Sequence, residues 1–208
     1  RSLRIRKGQL MSSDTQFHIH HDAPAVVGRR ERLGVRMLIV ADGAFVAGMI
    51  FSYFYLRNLN TNGMWLPDGV KTFSAASGWV VTFPLIIAAL VHKAGSKSRS
   101  GAAHAVVFLS LIVGLVLQYK QMTQMPFIKA DEGFTFFDGS YASSWVLIAG
   151  ANMFHYILGS FVALGLLLRG RKNATDPVLD YWRHLTAGSW FTWIAVSGVL
   201  CAITTSII

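Results

Sequence analysis

Five apolar runs, at about 35–56, 73–92, 102–122, 142–168 and 185–208, leave this chain few ways to fold. A helix needs around 20 apolar residues to cross the hydrocarbon core of a bilayer. In lipid, every backbone N–H and C=O must also be bonded internally. The expected fold class is therefore all-α: a polytopic membrane protein built as a five-transmembrane-helix bundle. Composition agrees, since 14% of residues are charged against about 25% in an average soluble domain. Pro84 falls inside the second run, where a transmembrane helix tolerates it as a kink. Residues 1–34 precede the first run and read as a basic, histidine-containing, disordered cytoplasmic arm. Residues 35–208 form the membrane domain.

The formal charge of +9 raises the question of nucleic acid. The basic residues, however, sit in the gaps between apolar runs and are not interleaved with stacking aromatics, so no nucleic-acid partner is expected. Their distribution reads instead as topology. The chain up to Arg36 holds eight of the 19 Lys and Arg. The gaps after the second and fourth runs hold three and four, and the other two gaps two each. Positive segments stay cytoplasmic. The N-terminus is expected inside and the C-terminus outside, as an odd number of spans requires.

Polar residues inside the runs are the candidates for chemistry, because such groups are expensive in lipid and usually face protein. Asp42 is the only acid within any run. In the fourth run, Leu147-Ile148-Ala149-Gly150-Ala151-Asn152-Met153-Phe154-His155 carries an amide and an imidazole three residues apart, and i, i+3 neighbours share a helix face. Asp42, Asn152 and His155 are therefore expected to meet, as a helix tie or as a site for lipid or protons. Gln118, Gln121 and Gln124 recur every third residue near the end of the third run, and read as a polar groove or a subunit contact. His18, His20 and His21 lie in the solvated arm, with nothing around them to fix a coordination geometry. Haem in a bundle needs two axial ligands on facing helices. His155 has no midplane partner, since His92, His104 and His184 fall near run ends. No bound metal or cofactor is expected. The lone Cys201 excludes an internal disulfide. No phosphate loop, nucleophile elbow, zinc signature or dinucleotide fingerprint is present, so no catalytic residues are assigned.

Three segments resemble subunit III of the haem-copper terminal oxidases, in its short five-helix bacterial form. Ala41-Asp42-Gly43-Ala44-Phe45-Val46-Ala47-Gly48-Met49-Ile50-Phe51 is similar to the family's Ser-Glu-x-x-Phe-Phe-x-x-x-Phe, with Asp42 at the intramembrane carboxylate. Tyr141-Ala142-Ser143-Ser144-Trp145 and Gly150-Ala151-Asn152-Met153-Phe154-His155 are similar to Tyr-x-Ser-x-Phe and Thr-Gly-x-His-Gly-x-His. Gln121-Met122-Thr123-Gln124 stands where the family has Gln-x-x-Glu, and the His-rich arm resembles that of some quinol oxidase members. The chain departs from the pattern at Asn152 (a histidine in the family) and Gln124 (a glutamate). Its nearest match to Trp-His-Phe-x-Asp, Trp190-Phe191-Thr192-Trp193-Ile194, keeps only the Trp. The resemblance implies a non-catalytic subunit of an oxygen-reducing complex fed by cytochrome c or quinol. Haem and copper would sit in partner subunits. The chain would pack on the catalytic subunit I in a bacterial cytoplasmic membrane. It would bind structural phospholipid in a cleft near Asp42 and His155 and support proton uptake. The rival readings are a subunit of a nitric oxide reductase-type complex and a free-standing proton-coupled transporter using Asp42.

Overall fold

The computed structural model describes residues 22–68, 72–95, 101–123, 139–170 and 176–207. The arm histidines His18, His20 and His21, and Gln124, lie outside these residues. Among the described residues there are five long helices and no strand: α1 (Pro24–Leu59), α2 (Ala75–Gly95), α3 (Gly101–Thr123), α4 (Ser140–Gly170) and α5 (Pro177–Ser206). All five are long and apolar enough to cross a membrane. The expected all-helical, five-span class is what the chain adopts.

Two helices start earlier than their apolar runs. The first begins at Pro24 and the last at Pro177, where the sequence pattern gives about 35 and 185. Hydropathy marks only the part of a helix that sits in lipid, and a helix continues beyond it wherever its start is well made. Proline at the first position is pre-set for a helix and forfeits only an N–H that would be unpaired there anyway. At α5 the Asp176 side chain also accepts from the Val178 and Leu179 amides, at 2.9 and 3.2 Å, in a typical N-cap. At 36 residues, α1 is about 54 Å long at 1.5 Å per residue, well beyond the ~30 Å core. Its first turns, with Arg29, Arg30 and Arg32, extend past the hydrocarbon.

Burial orders the bundle. In α5, 56% of the most apolar stretch is buried, against 17% in α1, so α5 is central and α1 peripheral. The last helix packs on α1, α2 and α4, while α3 packs on α2 and α4. One core cluster, including Leu85, Leu111, Tyr156, Phe191 and Ile194, joins α2 to α5. Side-chain hydroxyls from α3 and α4 bond carbonyls of α2 around Pro84. The Tyr156 hydroxyl donates to the Val81 carbonyl, and Ser110 donates to that of Pro84 at 2.8 Å.

A second cluster seals the opposite end. Tyr53, Trp65 and Tyr141 meet edge to face, and Phe73 stacks on Trp145 with ring centroids 4.2 Å apart. Tyr53 is fully buried, whereas Phe51 and Tyr55 on the same helix are more than half exposed. The aromatic end of α1 therefore divides between core and lipid interface. The first amides of α4, at Ser140 and Tyr141, donate to the Met64 and Trp65 carbonyls at 2.9 and 3.0 Å. That contact satisfies donors a helix start leaves orphaned and pins the loop to α4.

Candidate functional site

Asp42 lies midway along α1 with its side chain 11% exposed. One of its oxygens, Oδ2, takes two partners. The Trp193 indole donates to it at 2.6 Å, and Nε2 of His155 lies 2.9 Å away. The tie therefore spans α1, α4 and α5. An indole N–H can only donate, so Oδ2 accepts from Trp193, and the His155 ring meets the same oxygen. The Asp42–His155 half of the expected trio is present. Trp193 was not anticipated, although a signal existed: an indole in mid-membrane needs an acceptor, and the sequence offers one acid within the runs.

Asn152 does not join this group. It faces a separate hole of about 20 Å³, which Gln118, Gln121, Thr82 and Cys201 also line. The 60° between i and i+3 positions is enough to divide them, because α4 is buried on more than one side. Gln118 Nε2 donates to Gln121 Oε1 at 2.8 Å, and Gln121 Nε2 to Ser77 at 3.2 Å. Gln118 is 1% exposed and bonds within α3, while Gln121 carries the tie from α3 to α2. The buried oxygens Gln118 Oε1 and Asn152 Oδ1 have no protein partner among the described residues. A hole of this size holds roughly one water.

The contact between α1 and α4 is thin, and a cleft opens along it. On one side of the Asp42–His155 tie it measures about 690 Å³ and is walled by Phe45, Met122, Val146, Leu147 and Phe154. On the other, toward the start of α1, a hollow of about 280 Å³ is lined by Val35, Leu158, Phe161 and Trp190 together with Glu31, Arg169 and Arg183. The walls are mostly apolar, and the charged groups in the hollow are one acid and two arginines.

Trp193→Phe keeps an aromatic ring but removes its donor to Asp42. It should lower stability by about 1 kcal/mol, the scale of one interhelical hydrogen bond in a membrane. Unfolding in mixed micelles would read this, and an unchanged midpoint would mean that the indole contact contributes packing alone.

These features define a class: a five-span helical membrane protein whose peripheral first helix is tied through one carboxylate to the bundle and bounded by a cleft. No family model matches the chain. It is 25% identical over 197 residues to cytochrome c oxidase subunit 3 of Gadus morhua, covering 86% of this chain and 73% of that one. To the same subunit of Sus scrofa it is 23% identical over 197 residues, covering 88% and 74%. The match to that of Petromyzon marinus, 25% over 162 residues, spans 72% of this chain and 58% of the relative. These likenesses cover most of the chain and support its place in the subunit III family of the terminal oxidases, as its motifs led us to expect.

Proposed function

We propose that the chain is a non-catalytic, subunit III-like component of a respiratory terminal oxidase, seated beside the haem-copper subunit I in a bacterial cytoplasmic membrane. Haem and copper belong to its partners, and the chain itself holds phospholipid in the α1–α4 cleft. The observation that carries the reading is the Asp42–His155–Trp193 tie at the wall of that cleft. The polar tie, together with the packing of Tyr53 on Tyr141, sets how far α1 stands from α4, and so how wide an acyl chain the cleft admits. By the same geometry Asp42 is the group through which the chain would assist proton uptake, being the carboxylate that lines the larger part of the cleft beside His155.

Isolation in mild detergent tests the assignment. Haem-containing subunits should co-elute with the chain, and phosphorus analysis should find bound phospholipid. A haem-free homo-oligomer that transports a solute in vesicles would overturn the oxidase reading in favour of a carrier. Co-elution with a complex that reduces nitric oxide rather than oxygen would move the chain to that machinery.

A further inference from the structure

Three histidines assigned no purpose above converge at one end of the bundle. His92 stands in the last turn of α2, His104 in the first turns of α3 and His184 in the first turns of α5. One ring nitrogen from each lies within 4.8 Å of the others. We propose that His92, His104 and His184 bind a zinc ion, a site independent of the oxidase reading and at variance with the expectation of no metal.

Tautomer and burial carry the argument. Nε2 of His92 lies 3.1 Å from the His184 backbone carbonyl. A carbonyl only accepts, so Nε2 bears the proton and Nδ1 of the neutral ring bears the lone pair. That Nδ1 is buried with no hydrogen-bond partner, as is Nδ1 of His104, and each side chain is 3% exposed. A buried polar nitrogen left unpaired costs about 1–3 kcal/mol, and two from different helices, brought together, are costly unless something binds them. Metal-ligating histidines characteristically donate their other N–H to a carbonyl or a carboxylate. His92 does the former, and His184 Nε2 stands 3.7 Å from Asp180 Oδ1. The site is also held open by a glycine. A Cβ at Gly188 would lie 3.3 Å from His92 Cδ2 and Nε2, tight enough to press on the ring.

Zinc fits the donors. Imidazole nitrogens bind it at about 2.0–2.1 Å in a tetrahedron, which sets ligand atoms roughly 3.3 Å apart. Closing a triangle of 4.8 Å sides to that size moves each nitrogen about 0.9 Å, within reach of side-chain rotation. The C-terminal end of α2 favours a cation, while the N-terminal ends of α3 and α5 oppose it. Asp180 places a negative charge beside His184, and Lys93 a positive one next to His92 in sequence. Since the three residues come from three helices, the ion would clamp α2, α3 and α5 at one end, as the aromatic cluster does at the other.

The test uses the full chain carrying His18→Ala, His20→Ala and His21→Ala, so that the arm cannot supply ligands. Four of the seven histidines remain, and His155 is engaged at Asp42. We expect one zinc per chain, and zinc-edge X-ray absorption should show three imidazole nitrogens. His92→Gln and His104→Gln should each weaken zinc binding at least tenfold in competition with a chromophoric chelator, and Asp180→Asn by about tenfold. Absence of zinc, fewer than three imidazoles, or affinity unchanged in both glutamine variants overturns the proposal. The absorption measurement needs no change in the cluster, so it decides the matter even where a variant fails to fold.

Discussion

Gly114→Val should destabilise the chain by about 3 kcal/mol or more, and Gly114→Ala by about 2 kcal/mol, on the scale of overpacking a close-packed interior. Gly114 is buried in α3 where that helix crosses α4. A Cβ there would lie 2.6 Å from the Tyr156 hydroxyl oxygen and closer still to ring carbons Cε1 and Cζ. The ring has nowhere to go, because Tyr156 is fully buried and its hydroxyl donates to the Val81 carbonyl beside the Pro84 break. Relieving the clash means parting α3 from α4 or releasing that bond. Alanine's better helix propensity returns about 1 kcal/mol, too little to offset it. Gly48→Ala is the control, since a Cβ there meets nothing within 4 Å, and it should be neutral or slightly stabilising. Cys201 supplies the readout. It is the single cysteine and is buried, so labelling by a thiol-reactive dye on heating reports unfolding. Combining Gly114→Ala with Tyr156→Leu should cost less than the two changes summed, as expected when one clash is shared. A Gly114→Ala chain that melts with wild type would show that the α3–α4 crossing has slack.

Hydropathy made the five helices legible because apolar runs of about 20 residues match a bilayer-crossing helix, which bonds its own backbone in lipid. It was silent on what lies outside lipid, where Pro24 and the Asp176-Pro177 pair carried the start signals instead. The Asp42–His155 contact was legible from scarcity, as the sole intramembrane acid needs a partner. Asn152 was grouped with it because a three-residue spacing shares a face, yet 60° suffices to divide two residues on a helix buried from several sides. The histidine triad was hidden for a different reason. Each member falls near the end of a run and, taken singly, looks like an interfacial residue. Alternating spans put the end of the second run and the starts of the third and fifth on one side of the membrane, so topology alone places all three at one level. That they also share one lateral position depends on the neighbours of α5, which no sequence period encodes.

Asp42→Leu should lower stability by about 2–3 kcal/mol, and Asp42→Asn by about 1 kcal/mol. Leucine removes the acceptor of two donors at once, leaving the Trp193 indole and the His155 ring without the oxygen they share. An unpaired buried polar group costs about 1–3 kcal/mol in a protein interior. Interhelical hydrogen bonds in a membrane average nearer 0.6, with a maximum of about 1.7, because the membrane-embedded unfolded state finds other partners. Two lost bonds and the poor fit of a branched side chain bring the total to the stated range. Asparagine keeps one carbonyl oxygen, which can accept in place of Oδ2, so it disturbs the tie less than leucine does. The ordering Asp42→Leu above Asp42→Asn is thus a sharper test than either value. Both variants should retain less phospholipid per chain, since the tie stands at the wall of the cleft. In the assembled oxidase, Asp42→Asn should speed the loss of activity over successive turnovers while subunit association persists. Equal stability of the two variants would mean that the oxygen asparagine retains contributes nothing to the tie. Wild-type lipid content and endurance in Asp42→Asn would reduce Asp42 to a helix fastener and leave the cleft without a polar determinant.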